Sequence, residues 1–304
     1  MSDSILAQAA ETIRTARPGS PIVQAFFHEP SCTASYVIHD PATKAAAIID
    51  SVLDYDPASG RTATRSAQAI RTYVEQQALS VEWLLETHAH ADHLSAAPYL
   101  HSLLGGQLAI GRNIIHVGRA FGALFNMAPT EGREFDRLFD DGDRFNVGQL
   151  TATVLHVPGH TPADVAYVVG DAVFVGDTIF MPDYGTARAD FPGGDARRLY
   201  RSIRRLLALP ASTRIFVGHD YKAPGRDSYA WQTTVSAQRS DNIHVRDGVS
   251  EADFALMREQ RDATLSVPQL LLPAIQVNIR GGRLPQAETN GIRYLKIPLD
   301  AFGK

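Results

Sequence analysis

Two hydrophobic periods alternate along this chain, and together they lay out its elements. Strand-like apolar runs cover Ile22 to Phe27, Thr33 to Ile38, Ala45 to Ile49, Val81 to Leu85 and Leu150 to Val157. Two shorter ones start at Val173 and Ile215. Helical spacing covers Ser4 to Ala16, Arg65 to Gln77, a stretch around Ala96 to Leu104, Asp195 to Ala208, and Glu251 to Asp262. Ser4 and Asp195 are candidate caps for their helices. His39 to Thr43 reads as a turn, Asp54 to Arg61 as a loop, and Pro182 to Gly194 as a glycine- and proline-rich loop. Gly111 to Asp143 is the least readable part, because Gly118, Gly122, Pro129 and Gly132 interrupt it. Strands interleaved with helices predict an α/β fold, with 1–304 as one domain and an extended C-terminal tail from about 267.

Four of the strand-like runs stop at residues that can bind metal. The first leads into Thr87-His88-Ala89-His90-Ala91-Asp92-His93, which places three imidazoles and a carboxylate within six residues. Neutral imidazole nitrogen and carboxylate oxygen suit zinc, iron or manganese. Three histidines crowded at a strand end have little structural use, whereas a lone one there is usually polar surface. Pro158-Gly159-His160-Thr161, Gly176-Asp177-Thr178 and Gly218-His219-Asp220-Tyr221 close the other three runs. Taken singly, a Gly-Asp after a strand is more often a turn. Taken in this order, the four predict one metal centre built on rigid strand ends, with glycine turning the backbone.

Composition narrows the partners. A chain of 304 residues with net charge −4 gives no reason to expect nucleic acid or an anionic membrane. No apolar stretch approaches a membrane span. Met1-Ser2-Asp3-Ser4 lacks the basic-then-apolar pattern of a secretion signal. The single Cys32 excludes an intrachain disulfide, which fits a reducing cytoplasm. That cysteine reads first as a small buried hydrophobe.

The order HxHxDH, PGHT, GD, GH resembles the metallo-β-lactamase superfamily, from about Gln24 to about Gly282. The resemblance implies a four-layer αββα sandwich with metal at one edge of its two sheets. More narrowly, the chain resembles the persulfide dioxygenases (sulfur dioxygenases). The match lies in Glu29-Pro30-Ser31-Cys32-Thr33, Ser35-Tyr36-Val37-Ile38, Ala47-Ile48-Ile49-Asp50, Thr87 to His93, Arg188-Ala189-Asp190-Phe191, Gly218 to Tyr221, and a tail with Pro273 and Asn278. The loop Met181 to Ala187, the segment Asp54 to Thr64 and the Gly111 to Asp143 insertion are longer than in short mitochondrial-type members. They look like features of a bacterial subgroup and leave the thiol carrier less secure than the chemistry.

What the narrower resemblance implies is one Fe(II) held by His88, His160 and Asp177. Such a facial triad leaves about three positions for persulfide sulfur and dioxygen. The implied substrates are glutathione persulfide and O2, and the products sulfite and glutathione. His90, Asp92, His93 and His219 would then hydrogen-bond to waters and orient the triad. In superfamily hydrolases the same residues complete the first site and build a second, so the ligand inventory alone leaves one metal or two open. Two metals, zinc among them, would make the chain a hydrolase of thioesters, like glyoxalase II, or of lactones. A third reading is a non-catalytic binding protein on the same fold, against which the intact ligand set argues.

Arg188, Tyr221 and Thr161 are candidates to hold the carrier thiol, with Lys222 and Asn242 weaker ones. Arg188 could grip a glutathione carboxylate; its bland alternative is a salt bridge to Asp190. For Tyr221 the alternative is core packing, and for Thr161 a cap or turn. The helix from Asp195 carries Arg197, Arg198, Arg201, Arg204 and Arg205, which read as a solvated face opposite Leu199, Ile203, Leu206 and Leu207. His28, His39, His101, His116, His156 and His244 stand alone and receive no metal role. The family often forms dimers, but the sequence identifies no interface.

Overall fold

A computed structural model describes residues 2–15, 20–128 and 130–301. In chain order, α1 (Ser2–Thr15) leads to β1 (Ile22–His28), β2 (Thr33–His39), β3 (Ala45–Ile49), β4 (Val52–Asp56) and β5 (Arg61–Ala63). Next come α2 (Arg65–Gln76), β6 (Ser80–Leu85), β7 (Leu94–Ser95), α3 (Ala97–Leu104), β8 (Gln107–Gly111), α4 (Ile114–Leu124) and β9 (Arg137–Phe139). The second half runs β10 (Arg144–Val147), β11 (Leu150–His156), β12 (Val165–Val169), β13 (Ala172–Phe174), α5 (Ala196–Leu206), β14 (Arg214–Phe216) and β15 (Gln232–Thr234). Then follow α6 (Val235–Asp241), α7 (Glu251–Asp262) and α8 (Leu271–Asn278).

The strands form two six-stranded sheets, ordered β1-β2-β3-β6-β8-β9 and β10-β11-β12-β13-β14-β15. Alternation along the strands places these sheets between helices. On β2, Tyr36 and Ile38 face a core shared with the second sheet, while Val37 faces a core shared with α2, α3, α4 and α8. On β12, Tyr167 and Val169 face the shared core, while Ala166 and Val168 face α1, α5 and α7. Strands buried on both faces in this way read as continuous apolar runs. Three apolar seams therefore separate four layers, as the resemblance implied.

Several elements lie where the periodicity placed them. α7 matches the expected range, and α5 starts one residue after Asp195, whose carboxylate accepts a hydrogen bond from Arg198 N at 2.8 Å. Arg197, Arg198 and Arg201 of α5 face outward as expected, whereas Arg204 and Arg205 are partly covered; Arg197 and Arg201 pair with Glu251, Arg204 with Asp247 and Arg205 with Asp141. Leu199 and Ile203 behind them are fully buried.

Other expectations are corrected. Asp54 to Arg61 is not a loop but contains most of a β4–β5 hairpin, turned by Asp56, whose side chain accepts from Ala58 N and Ser59 Oγ. Gly111 to Asp143 holds α4 and β9; Gly118 is helical and lets Thr130 pack against the helix backbone. The tail is not extended throughout: 271–278 is a helix that buries Leu271, Ala274, Ile275 and Val277. Cys32 is not a buried hydrophobe; it is partly exposed, with a left-handed φ of 54°. Ala16, the expected end of the first helix, and Pro129 lie outside the described residues.

Candidate metal centre

The carboxyl ends of β6, β11, β13 and β14 meet at one edge of the two sheets, and each delivers residues able to bind a metal there. The loop after β6 is fixed by Asp50, the residue that follows β3. Its carboxylate accepts from Thr87 N at 2.7 Å and from Thr87 Oγ1 at 2.8 Å. Thr87 Oγ1 in turn lies 2.9 Å from His88 Nδ1, which leaves His88 Nε2 facing the site. His160 is oriented by donating from Nδ1 to the Arg188 carbonyl at 2.8 Å. Its turn depends on Gly159, at φ +148°, where any Cβ would come within 2.3 Å of the Leu199 backbone. Gly176, at φ +50°, lets Asp177 turn beside Thr87 and His88.

One ligand atom each from His88, His160 and Asp177 converges within 4.8 Å, and all three residues are buried. Asp177 Oδ2 lies 3.8 Å from His88 Nε2 and 3.7 Å from His160 Nε2. A second group, His90, Asp92 and His219, converges equally closely beside it. His219 Nε2 sits 3.3 Å from Asp177 Oδ1, and its Nδ1 donates to the Cys32 carbonyl at 3.1 Å. His93 Nδ1 contacts Asp92 Oδ2 at 3.0 Å. His90 Nε2 faces two buried carboxylates, Asp50 at 3.0 Å and Glu86 at 3.4 Å.

The residues fit a metal. His88 Nε2, His93 Nε2, His90 Nδ1 and Asp177 Oδ1 are buried without a hydrogen-bond partner. Orphaned polar atoms of this kind are costly unless an ion or water satisfies them. The electrostatics fit too. Burial, with His90 and His160 close by, pushes the His88 imidazole well below its usual value, so it is neutral and ready to ligate. Burial opposes charge on His90 as well, but Asp50 and Glu86 outweigh it and hold that imidazole well above its usual value. Asp92 would be raised by burial, yet His219 and His93 hold it well below the usual carboxylate range.

A cleft of about 230 Å³ opens onto His160, Asp177 and Asp92. Phe180, Tyr184 and Tyr221, whose rings contact one another, line it together with Arg188, Arg258, Arg261 and Leu265. Tyr221 is 41% exposed and stacks near His219, with ring centroids 5.5 Å apart. Arg188 borders the cleft, but its guanidinium pairs with Asp190 at 2.5 Å and donates to the Ser266 carbonyl at 2.7 Å. That is its bland alternative, realised. Three other candidates lie outside the cleft lining. Thr161 is fully buried and donates to Asp164. Asn242 is fully buried and donates to the Gly185 carbonyl and Gln238 Oε1, which props the Met181 to Ala187 loop. Lys222 is turned away, its Nζ 4.2 Å from the Tyr229 ring.

Sequence reasoning passed over Asp50, Glu86, Asn278, Arg258 and Arg261 as working groups. Asp50 and Glu86 each end an apolar run, which was their available signal. Asn278 Nδ2 donates to the carbonyls of His90 and His93 at 2.8 and 2.7 Å, so α8 clamps the metal loop from outside. Arg258 and Arg261 sit on a helix that was recognised, but nothing local marks which face it turns to the site.

Comparison with known proteins agrees with this architecture. The family model of the metallo-β-lactamase superfamily matches residues 32–219. A probable metallo-hydrolase of Burkholderia pseudomallei is 54% identical over 92% of this chain and 99% of its own. Glyoxylase B2 of Dictyostelium discoideum is 47% identical, over 91% of this chain and 97% of its own. The human mitochondrial persulfide dioxygenase ETHE1 is 29% identical, over 87% and 90%. Among solved structures, ETHE1 from Myxococcus xanthus superposes with a TM-score of 0.69 at 30% identity, covering 86% of this chain and all of that one. With its ligand residues gathered at the sheet edge, and with these matches, the chain belongs to the metallo-β-lactamase superfamily.

Proposed function

We propose that this chain is a mononuclear iron persulfide dioxygenase that converts glutathione persulfide and O2 to sulfite and glutathione. The observation that carries the reading is the pairing around the triad. His88, His160 and Asp177 leave ligand atoms free at one point. Of the groups that would build a second site, His90 turns its Nε2 to two carboxylates outside it, Asp50 at 3.0 Å and Glu86 at 3.4 Å. Likeness to the two ETHE1 proteins supports the same reading.

Bound Fe(II) would supply the open positions at which persulfide sulfur and dioxygen meet. The protein does the rest. Thr87 and the Arg188 carbonyl hold the two imidazoles in orientation. Phe180, Tyr184 and Tyr221 wall the cleft and limit water near the sulfur. Although Tyr221 is 41% exposed overall, crowding by the protein around it, with Asp177 and Asp92 nearby, pushes its phenol above the usual value, so it remains a hydrogen-bond donor. Arg261 lines the cleft with no ion pair among the described residues. It is the cation free to take a carrier carboxylate, since Arg188 is tied to Asp190 and Arg258 to Asp262.

The second reading, a two-metal thioester hydrolase, is favoured by one observation: His90, Asp92 and His219 also converge within 4.8 Å. The name of the Dictyostelium relative and that of the Burkholderia relative point the same way. Metal analysis separates the two. The dioxygenase reading expects one tightly held iron per chain after loading and dialysis, and no free thiol from S-lactoylglutathione. Two metals per chain with rapid thioester cleavage would replace it.

A further inference from the structure

The segment Glu29 to Thr33, which leads from β1 into β2, holds His219 through the Cys32 carbonyl; its hydroxyl side chains touch the site described above but have no role in it. Thr33 Oγ1 donates to Asp92 Oδ2 at 3.0 Å. Ser31 Oγ lies 2.7 Å from Thr33 Oγ1, and His28 Nδ1 lies 2.7 Å from Ser31 Oγ. His28 Nε2 then faces Asp54 Oδ1 at 3.7 Å. His28 and Asp54 both line a separate open cavity of about 830 Å³, the largest of those described, walled also by Phe27, Tyr55, Arg61 and Arg65. Thr33 is 1% exposed, so the inner end of this chain is dry and its outer end meets water.

We propose that His28, Ser31 and Thr33 form a proton relay that joins the metal centre to this second cavity. Both hydroxyls can donate and accept, so the chain resets when the two O–H bonds rotate and the His28 ring flips, which returns an unprotonated nitrogen to Ser31. A proton arriving at Thr33 Oγ1 lets that oxygen release its own proton to Ser31. Ser31 passes its proton to His28 Nδ1, and His28 gives up the Nε2 proton to cavity water. No bond between heavy atoms forms or breaks. The need for an exit follows from stoichiometry. Persulfide, O2 and water give thiol, sulfite and two protons; a thioester and water give thiol, carboxylate and one proton. The relay therefore rests on the chain being an enzyme of either class, not on the choice between them.

The groups facing His28 suit it for passing protons. Burial, with His93 behind it and Arg65 on α2 at its side, holds the imidazole below its usual value. Asp54 on β4 and Asp92 in the metal loop pull the other way. The ring is thus neutral at pH 7 and free to accept at Nδ1.

The test uses His28→Ala and Ser31→Ala in metal-loaded full-length protein, with metal content and Tm measured alongside. Turnover is followed in weak and in strong buffer, with glutathione persulfide and with S-lactoylglutathione. In weak buffer the relay predicts a fall of about tenfold for both variants, less than the roughly hundredfold or more that a general acid or base in the reaction itself contributes. For His28→Ala, millimolar imidazole should restore most of the rate, and the solvent isotope effect should rise. Metal content and Tm should match the parent. Turnover within twofold of the parent in weak buffer, or a loss that imidazole does not repair, overturns the relay. If the parent consumes no oxygen but cleaves the thioester, the dioxygenase reading fails and the relay is judged on the thioester.

Discussion

Arg258 is an arginine with 1% exposure, and what holds it there is local. Its guanidinium meets Asp262 at 2.6 Å, one helical turn on, and donates to the Thr186 carbonyl at 3.2 Å. Asp262 also accepts from Ala189 N, so the pair ties α7 to the loop that carries Arg188. Removing one partner strands a buried charge, which costs about 3–5 kcal/mol. Arg258→Met should therefore lower the unfolding free energy by that much, read as a lower urea midpoint with the slope unchanged; a loss under about 1 kcal/mol would mean that Asp262 finds water. Nearby His244 carries the clearest pH signature. Burial, with Arg258 and Arg261 close by, pushes its imidazole down to about 4 from an ordinary 6.5. The unfolded chain binds that proton first as pH falls, so the stability it contributes is complete above 6.5 and is lost toward 4. The advantage of the parent over His244→Gln in thermal unfolding should shrink between pH 7 and pH 4.5. A constant difference would contradict this.

At the scale of elements, the strands and helices with clean periodicity are legible in the sequence, and so are the candidate ligands that gather at the strand ends. Three histidines and an aspartate in the Thr87 to His93 run need no tertiary information to be noticed. The β4–β5 hairpin was missed because its strands are short and its turn uses an aspartate where a glycine pair would have been recognised. The helix α8 was missed because Pro273 sits in its first turn, where proline is tolerated but reads as a breaker. Arg188 and Asn242 were candidates for substrate contact on motif alone, and only the fold shows their hydrogen bonds already committed. Asn278 shows the same limit from the other side, since its partners lie more than 180 residues away. Asn278→Ala removes the α8 clamp on His90 and His93. It should weaken metal affinity 10- to 100-fold, the usual effect of losing a group that orients ligands. Competition with a chromophoric chelator would show it; unchanged affinity would make the clamp a folding device only.

At the scale of the molecule, two stacked sheets bring four strand ends to one edge and put three apolar seams behind them. That framework is shared by hydrolases and dioxygenases alike, so fold does not choose between them. The choice lies in whether His90 stays with Asp50 and Glu86 and in the shape of the cleft. Among the described residues, no helix is long and apolar enough to cross a membrane. The central claim is the chemistry at His88, His160 and Asp177, and oxygen uptake tests it most directly. Protein loaded anaerobically with Fe(II) is mixed with glutathione persulfide in an oxygen electrode, with His160→Ala as control. The account predicts rapid uptake, one sulfite formed per O2 consumed, and none from the variant. No uptake by protein that holds one iron per chain would contradict it.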